Sequence, residues 1–162
     1  MRRRLRDGRS EDWEQLVALE EACFPASDRF PARTWKRLLG SALVARTACT
    51  IVVEDHGRIV AAICGLFRAR ARVARIYSLA VGPDQRGRGL AQELVRGFAR
   101  RARARGCRTL SLEVRERNEA ARALYGRLDF TVVERLPGYY GRSDHGLRYR
   151  IDLGRSGLGS RP

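Results

Sequence analysis

Lysine is almost missing from this chain: of its 33 Lys+Arg residues, only Lys36 is a lysine. That excludes a phosphate loop of the G-x-x-x-x-G-K-[ST] kind, because Gly82 and Gly87 have the spacing but Arg88 stands where lysine is required. Histidine is limited to 2 residues, and the 4 cysteines (Cys23, Cys49, Cys64, Cys107) are scattered without a C-x-x-C pair. No metal-ligand cluster and no nucleophile triad is expected, and the thiols read as apolar filler. Apolar runs all fall well short of the ~18–20 residues of a membrane span. Met1-Arg2-Arg3-Arg4 is not followed by the apolar stretch of a secretory leader. The expectation is a cytoplasmic protein with no membrane contact.

What is present is a chain of 162 residues, 44% hydrophobic, with a net charge of +15. Residues 1–153 read as one domain with a real core, and the Gly- and Ser-rich residues 154–162 as a flexible tail. The choice of arginine over lysine reads as coding bias. Such a field attracts polyanions weakly, but no basic helix with base-reading or stacking residues stands out, so no specific nucleic-acid partner is expected.

Periodicity gives a short strand near residues 3–5, then a helix from about Glu11, with Ser10 as N-cap and Pro25 as its end. A second helix covers 32–39. Strands at 50–54 and 59–67 flank Asp55-His56-Gly57-Arg58, a hairpin turn in which Gly57 takes positive φ. Another strand covers 73–81. A strongly amphipathic helix follows, with Leu90, Leu94, Val95, Phe98 and Ala102 on one face and Arg96, Arg100 and Arg103 on the other. Gly106 closes it. Residues 108–114 alternate as a strand, Asn118 caps a helix to about 128, and strands at 130–135 and 147–153 end the domain. This order predicts an α/β (α+β) fold, a mixed sheet with helices on both faces.

The chemistry concentrates where the 73–81 strand enters Gly82-Pro83-Asp84-Gln85-Arg86-Gly87-Arg88-Gly89-Leu90-Ala91. A glycine-rich turn opening a helix presents unpaired N–H groups at the positive end of the helix dipole, which suits a pyrophosphate. The dinucleotide fingerprint G-x-G-x-x-G fails, with Gln92 at the third glycine. Alone, the segment reads equally as an anion site or as a turn that binds nothing.

Arg86-x-x-Gly89-x-Ala91 resembles the R/Q-x-x-G-x-G/A signature of GCN5-related N-acetyltransferases. Ile76-Tyr77-Ser78-Leu79-Ala80-Val81 is similar to that family's central strand, Leu112-Glu113-Val114-Arg115 to its next one, and Asn118-Glu119-Ala120-Ala121-Arg122-Ala123-Leu124-Tyr125 to its N-x-x-A-x-x-L-Y helix. Within the family, these motifs with Gly138-Tyr139-Tyr140 look most like the ribosomal-protein alanine N-acetyltransferase branch. The resemblance implies a sheet of six to seven strands splayed between the fourth and fifth, and acetyl-CoA as cosubstrate with no metal. It puts the pyrophosphate on Arg86, Gly87, Arg88, Gly89, Leu90, Ala91 and Gln92, and the pantetheine arm on Leu79, Ala80, Val81 and Asn118. It makes Glu113 the base, acting through water, and Tyr125 the acid beside the sulfur. The chain departs from the pattern at Asp129, where glycine is usual before Phe130, and at His145-Gly146, where an acidic residue and alanine are common.

Beside these roles stand plainer ones: Glu113 as a strand-end carboxylate paired with one of the many arginines, Arg115 and Arg117 being nearby in sequence, and Tyr125 as a packing aromatic. Phe24, Tyr139 and Tyr140 either wall the acceptor groove or, for the tyrosines, face solvent. An amine attacks only when neutral, and reference values of ~7.8 for an α-amine and ~10.4 for lysine differ by roughly 3.5 kcal/mol. The expected reaction is direct transfer in a ternary complex to a protein N-terminal amine, with a small amine or a lysine as the rival acceptor. A CoA-binding regulator and a nucleic-acid module are the other classes, and the assembly is monomer or homodimer.

Overall fold

The structure, a computed structural model, describes residues 3–68 and 70–158. Seven strands form one sheet in the order β1-β2-β3-β4-β5-β7-β6: β1 Arg4–Asp7, β2 Ala48–Asp55, β3 Arg58–Arg68, β4 Val73–Val81, β5 Thr109–Arg115, β6 Thr131–Gly141 and β7 Asp144–Asp152. Every adjacent pair is antiparallel except β4 and β5, which are parallel. Helices α1 (Trp13–Cys23) and α2 (Ala32–Leu39), with the one-turn α3 (Ser41–Val44), cover one face. Helices α4 (Leu90–Ala104) and α5 (Glu119–Arg127) cover the other. Strand alternation divides the core accordingly. Ile51, Ile63, Leu110 and Leu112 pack under α4 with Phe98, while Val52, Ala62 and Ala80 pack under α1 and α2 with Leu16 and Trp35.

Local chemistry accounts for most boundaries. His56 (φ 49°) and Gly57 (φ 76°) form the two-residue β2–β3 turn, whose handedness matches the strand twist. Gly106 ends α4 at φ 79°. Ser10 does not cap α1; it lies in a 3-10 turn over Ser10–Asp12, and its hydroxyl bonds Glu11. Asp12, at the N-cap position of α1, makes no side-chain cap bond to the helix either; its carboxylate turns back to take the Arg9 N–H at 2.7 Å and is held by Arg6.

β6 runs to Gly141 rather than ending near 135. Pro137 and Gly138 read as a loop, but on an edge strand they are absorbed by an irregularity between Leu136 and Gly141. The tail expectation also needs correction over residues 154–158. Leu158 is 4% exposed, packs with the large core and is reached because the Ser156 N–H bonds the Asp152 carbonyl. Residues 159–162 lie outside the described residues.

Candidate active site

β4 and β5 pair only at Val73, Ala74 and Arg75 against Thr109, Leu110 and Ser111. Beyond this point β4 follows β3 as far as Val81↔Ala61, and β5 follows β7 as far as Arg115↔Gly146, so the two strands part. A bulge marks the start of the divergence: Cys64 faces Ser78 and Gly65 faces Ile76, leaving Tyr77 as the extra residue. Gly65 permits the close approach there, since a Cβ would meet the Arg75 carbonyl oxygen at 2.2 Å and the Phe98 ring at 2.6 Å.

The exposed backbone of β4 can be assigned by alternation. Gly82 N–H donates to Val60 O at 2.9 Å, so Ala80 and Ser78 likewise turn their amides toward β3, and those of Leu79 and Val81 face the gap. Of the three main-chain positions expected to meet a pantetheine arm, Ala80 is thus engaged in the β3 ladder. The Val81 carbonyl accepts from Arg86 Nε (3.3 Å) and the Cys23 thiol (3.4 Å), leaving the Val81 N–H and both groups of Leu79 toward the opening.

The strand then enters a 3-10 turn, Pro83–Gln85, and the start of α4. Gly87 (φ 75°) and Gly89 (φ 77°) adopt the left-handed region, and an added Cβ at either would meet nothing within 4 Å. Gly89 is the N-cap and offers no side chain to the first helical N–H groups, so they point outward unpaired by a cap. A cavity of about 280 Å³ lies there, lined by this loop and by Leu124 and Arg127 of α5. Open space, positive φ and an uncapped helix start fit a pyrophosphate. Sequence reasoning missed Arg127, whose only signal was its place one turn beyond Leu124.

Glu113 projects from β5 on the α1/α2 side, its side chain 7% exposed. Its carboxylate is an ion-pair partner, of two arginines distant in sequence rather than the nearby Arg115 or Arg117. Arg75 grips both oxygens (Nη2–Oε1 2.8 Å, Nε–Oε2 3.2 Å), and Arg148 Nε reaches Oε1 at 3.1 Å. Arg75 is the last residue of the parallel pairing, so this ion pair spans the point where the sheet opens. It also donates to the Tyr139 hydroxyl at 3.2 Å. Neither arginine was legible, because each depends on strand register.

Tyr125 lies on the other side of the sheet, against Phe130 (centroids 5.4 Å) and Tyr149 (6.1 Å). Burial pushes its phenol well above the usual tyrosine value, and the hydroxyl has no hydrogen-bond partner among the described residues. Asn118 caps α5, its Oδ1 accepting the Ala121 N–H at 3.1 Å, and its side chain is exposed. The Tyr140 phenol is pushed up to about 12, mainly by burial and then by the neighbouring Tyr139 and Glu113. It stands edge-on to Tyr139, 4.9 Å between centroids. Tyr139 is 46% exposed and leans over Gly146, where a Cβ would lie 3.1 Å from its own Cβ. Glycine at 146 thus makes room for a ring. Phe24, half-buried beside the α1/α2 core, has its carbonyl held by Arg29 Nε at 2.8 Å.

A parted sheet that offers main-chain amides beside a bare helix start is the frame of an acyltransferase working on a long, pyrophosphate-bearing thioester. Residues 13–130 match the acetyltransferase (GNAT) family, and the chain belongs to it. An acetyltransferase of Pectobacterium atrosepticum is 33% identical over 129 residues, 78% of this chain and 86% of that protein. The ribosomal-protein-S18-alanine N-acetyltransferase of Escherichia coli superposes with a TM-score of 0.82 at 20% identity, over 99% of this chain and 100% of that one. Arabidopsis thaliana NAA60 in complex with acetyl-CoA gives 0.81 at 18% identity, over 94% and 99%. At these identities the two solved structures establish the fold alone.

Proposed function

We propose that this chain moves the acetyl group of acetyl-CoA to a protein N-terminal α-amine by direct transfer in a ternary complex. The observation that carries the reading is the gap between β4 and β5, with the Leu79 and Val81 amides turned into it beside the uncapped start of α4. When bound, acetyl-CoA supplies the acetyl group as a thioester. The N–H groups of residues 87–92 hold the pyrophosphate, with Arg86 and Arg88 adding charge and Arg127 facing the same cavity. Leu79 and Val81 pair with the pantetheine arm as an added strand would, and an N–H of this pair steadies the charge that develops on the carbonyl oxygen. Asn118 keeps its amide N–H groups for the same arm.

Glu113 and Tyr125 lie on opposite faces, and the gap joins those faces. Glu113 receives the amine proton through water. Tyr125 donates its proton at the sulfur, a role that requires a phenol still protonated at working pH, as its burial ensures. Glu113 shares its oxygens with two guanidiniums, and an acceptor that is already partly neutral asks least of it. This favours an α-amine over lysine. Phe24, Tyr139 and Tyr140 border the acceptor's path. The cytoplasm is the compartment this reading implies; no described helix is long and apolar enough to cross a membrane.

Calorimetry with acetyl-CoA, followed by a panel of peptides with free or blocked N-termini and with or without internal lysine, tests both halves. Heat of binding and acetylation confined to free N-termini are expected. Transfer that survives blocking moves the acceptor to lysine, and an absence of heat ends the donor assignment.

A further inference from the structure

We propose that Arg115 is a positioning residue that locks the two walls of the acceptor groove to one another. The proposal rests on the reading above only in taking the amine to enter between those walls. One wall is the α1–α2 connection, which contains Asp28; the other is the end of β6 and the start of β7, with Tyr140 and Asp144. Arg115 closes β5 between them, opposite Gly146. Its two Nη atoms grip both oxygens of Asp28, Nη2–Oδ1 being 2.9 Å, while Nε reaches Asp144 Oδ2 at 2.7 Å. The flat of the guanidinium lies 4.3 Å from the centre of the Tyr140 ring. One planar cation thus engages three separate segments through its nitrogens and its face, a geometry lysine cannot reproduce with a single ammonium.

The cluster is partly withdrawn from water, with side chains 23%, 22% and 17% exposed for Arg115, Asp28 and Asp144. Asp144 relies on it heavily. Its Oδ1 is buried with no partner among the described residues, and Oδ2 takes Arg115 together with the more exposed Arg117 at 3.1 Å. Without Arg115, the one hydrogen bond left to Asp28 among the described residues comes from Ser27 Oγ, at 3.2 Å. Two carboxylates on facing segments would then lose the one guanidinium that bonds both, and each segment would move independently.

The test is hydrogen exchange and kinetics on the full chain. Arg115→Lys is expected to raise amide exchange about tenfold in both residues 24–31 and residues 138–146, with β4 and α4 unchanged. Asp28→Asn, which cuts one arm and leaves the core untouched, is expected to loosen residues 138–146 as well as its own loop. With an N-terminal peptide acceptor, both variants raise the acceptor KM about tenfold, leave kcat at saturation within threefold and leave the acetyl-CoA Kd within twofold. Exchange that rises only in residues 24–31 of Asp28→Asn overturns the lock, as does an acceptor KM that stays put or an acetyl-CoA Kd that rises in parallel. If the wild-type chain acetylates no peptide N-terminus, the acceptor assignment fails, and the exchange coupling still decides the role of Arg115.

Discussion

Asp129 holds a left-handed backbone conformation, φ 66°, between the end of α5 and Phe130. Glycine is the residue that enters this region without steric cost, and aspartate is among the few others that tolerate it. The departure from the family pattern therefore keeps the turn at an energetic cost instead of rebuilding it. Asp129→Gly is expected to stabilise the fold by about 0.5–1 kcal/mol, seen as a Tm about 2 °C higher. A lower Tm would mean that the aspartate side chain contributes more than its backbone costs. At the same scale, Tyr125→Phe removes only a hydroxyl that has no hydrogen-bond partner among the described residues, so packing and acetyl-CoA affinity should hold. Turnover should fall about 100-fold if that hydroxyl delivers the proton. Unchanged kcat in stopped-time acetylation assays would return Tyr125 to a packing role.

Among the elements, β4 carries the decisive irregularity, and Gly65 on β3 is what permits it. A methyl group there would lie 2.2 Å from the Arg75 carbonyl oxygen and press on Phe98 of α4, so neither the strand nor the helix can keep its place. Gly65→Ala is expected to cost at least about 1–3 kcal/mol. It should also weaken acetyl-CoA binding, since β4 sets the direction of the Leu79 and Val81 amides. Thermal unfolding and calorimetry on one sample check both effects, and a loss of stability with no loss of affinity would uncouple the bulge from the site. What was legible beforehand follows the same division. The glycine-rich loop, α4 and the Asn118-to-Tyr125 helix are contiguous segments whose periodicity or spacing states their geometry. The Arg75–Glu113–Arg148 cluster and the bulge depend on cross-strand register, which no single segment contains. Ser10 misled because its residue type meets the usual capping preference, whereas a 3-10 turn precedes α1 and is tied down by Asp12, which Arg6 from β1 fixes and which accepts the Arg9 N–H. Pro137 and Gly138 were turn signals that an edge strand could absorb.

Across the whole molecule, ionisable groups pull stability in opposite directions as pH changes. The Arg115 guanidinium holds Asp28 below the usual aspartate range. Burial pushes Asp12 up, but Arg6 and the Arg9 N–H outweigh it and leave that carboxyl low as well. Both contribute stability that is complete above the unfolded value of ~3.9 and is lost as pH falls through their folded values. Glu20 behaves in the opposite sense. Burial raises it, against the bonds it accepts from the Phe30 N–H, Ser78 Oγ and Trp35 Nε1. Its neutral form is favoured in the fold, so its burial costs stability as pH rises from ~4.3 through its folded value, and the cost persists above that. Glu20→Gln keeps one oxygen for Phe30 and Trp35 and an amide to donate to Ser78, without the charge. The variant should therefore unfold at a higher temperature than wild type near pH 7. That advantage should shrink toward zero as pH approaches ~4.3, while both proteins lose stability together below it as Asp12 and Asp28 protonate. A Tm difference that stays constant from pH 7 to pH 4.5 would show that the buried carboxyl is not the titrating group, and Glu20→Ala separates that result from simple loss of contacts. Alanine leaves Phe30 N–H and the Trp35 indole without an acceptor and should cost about 1–3 kcal/mol at every pH.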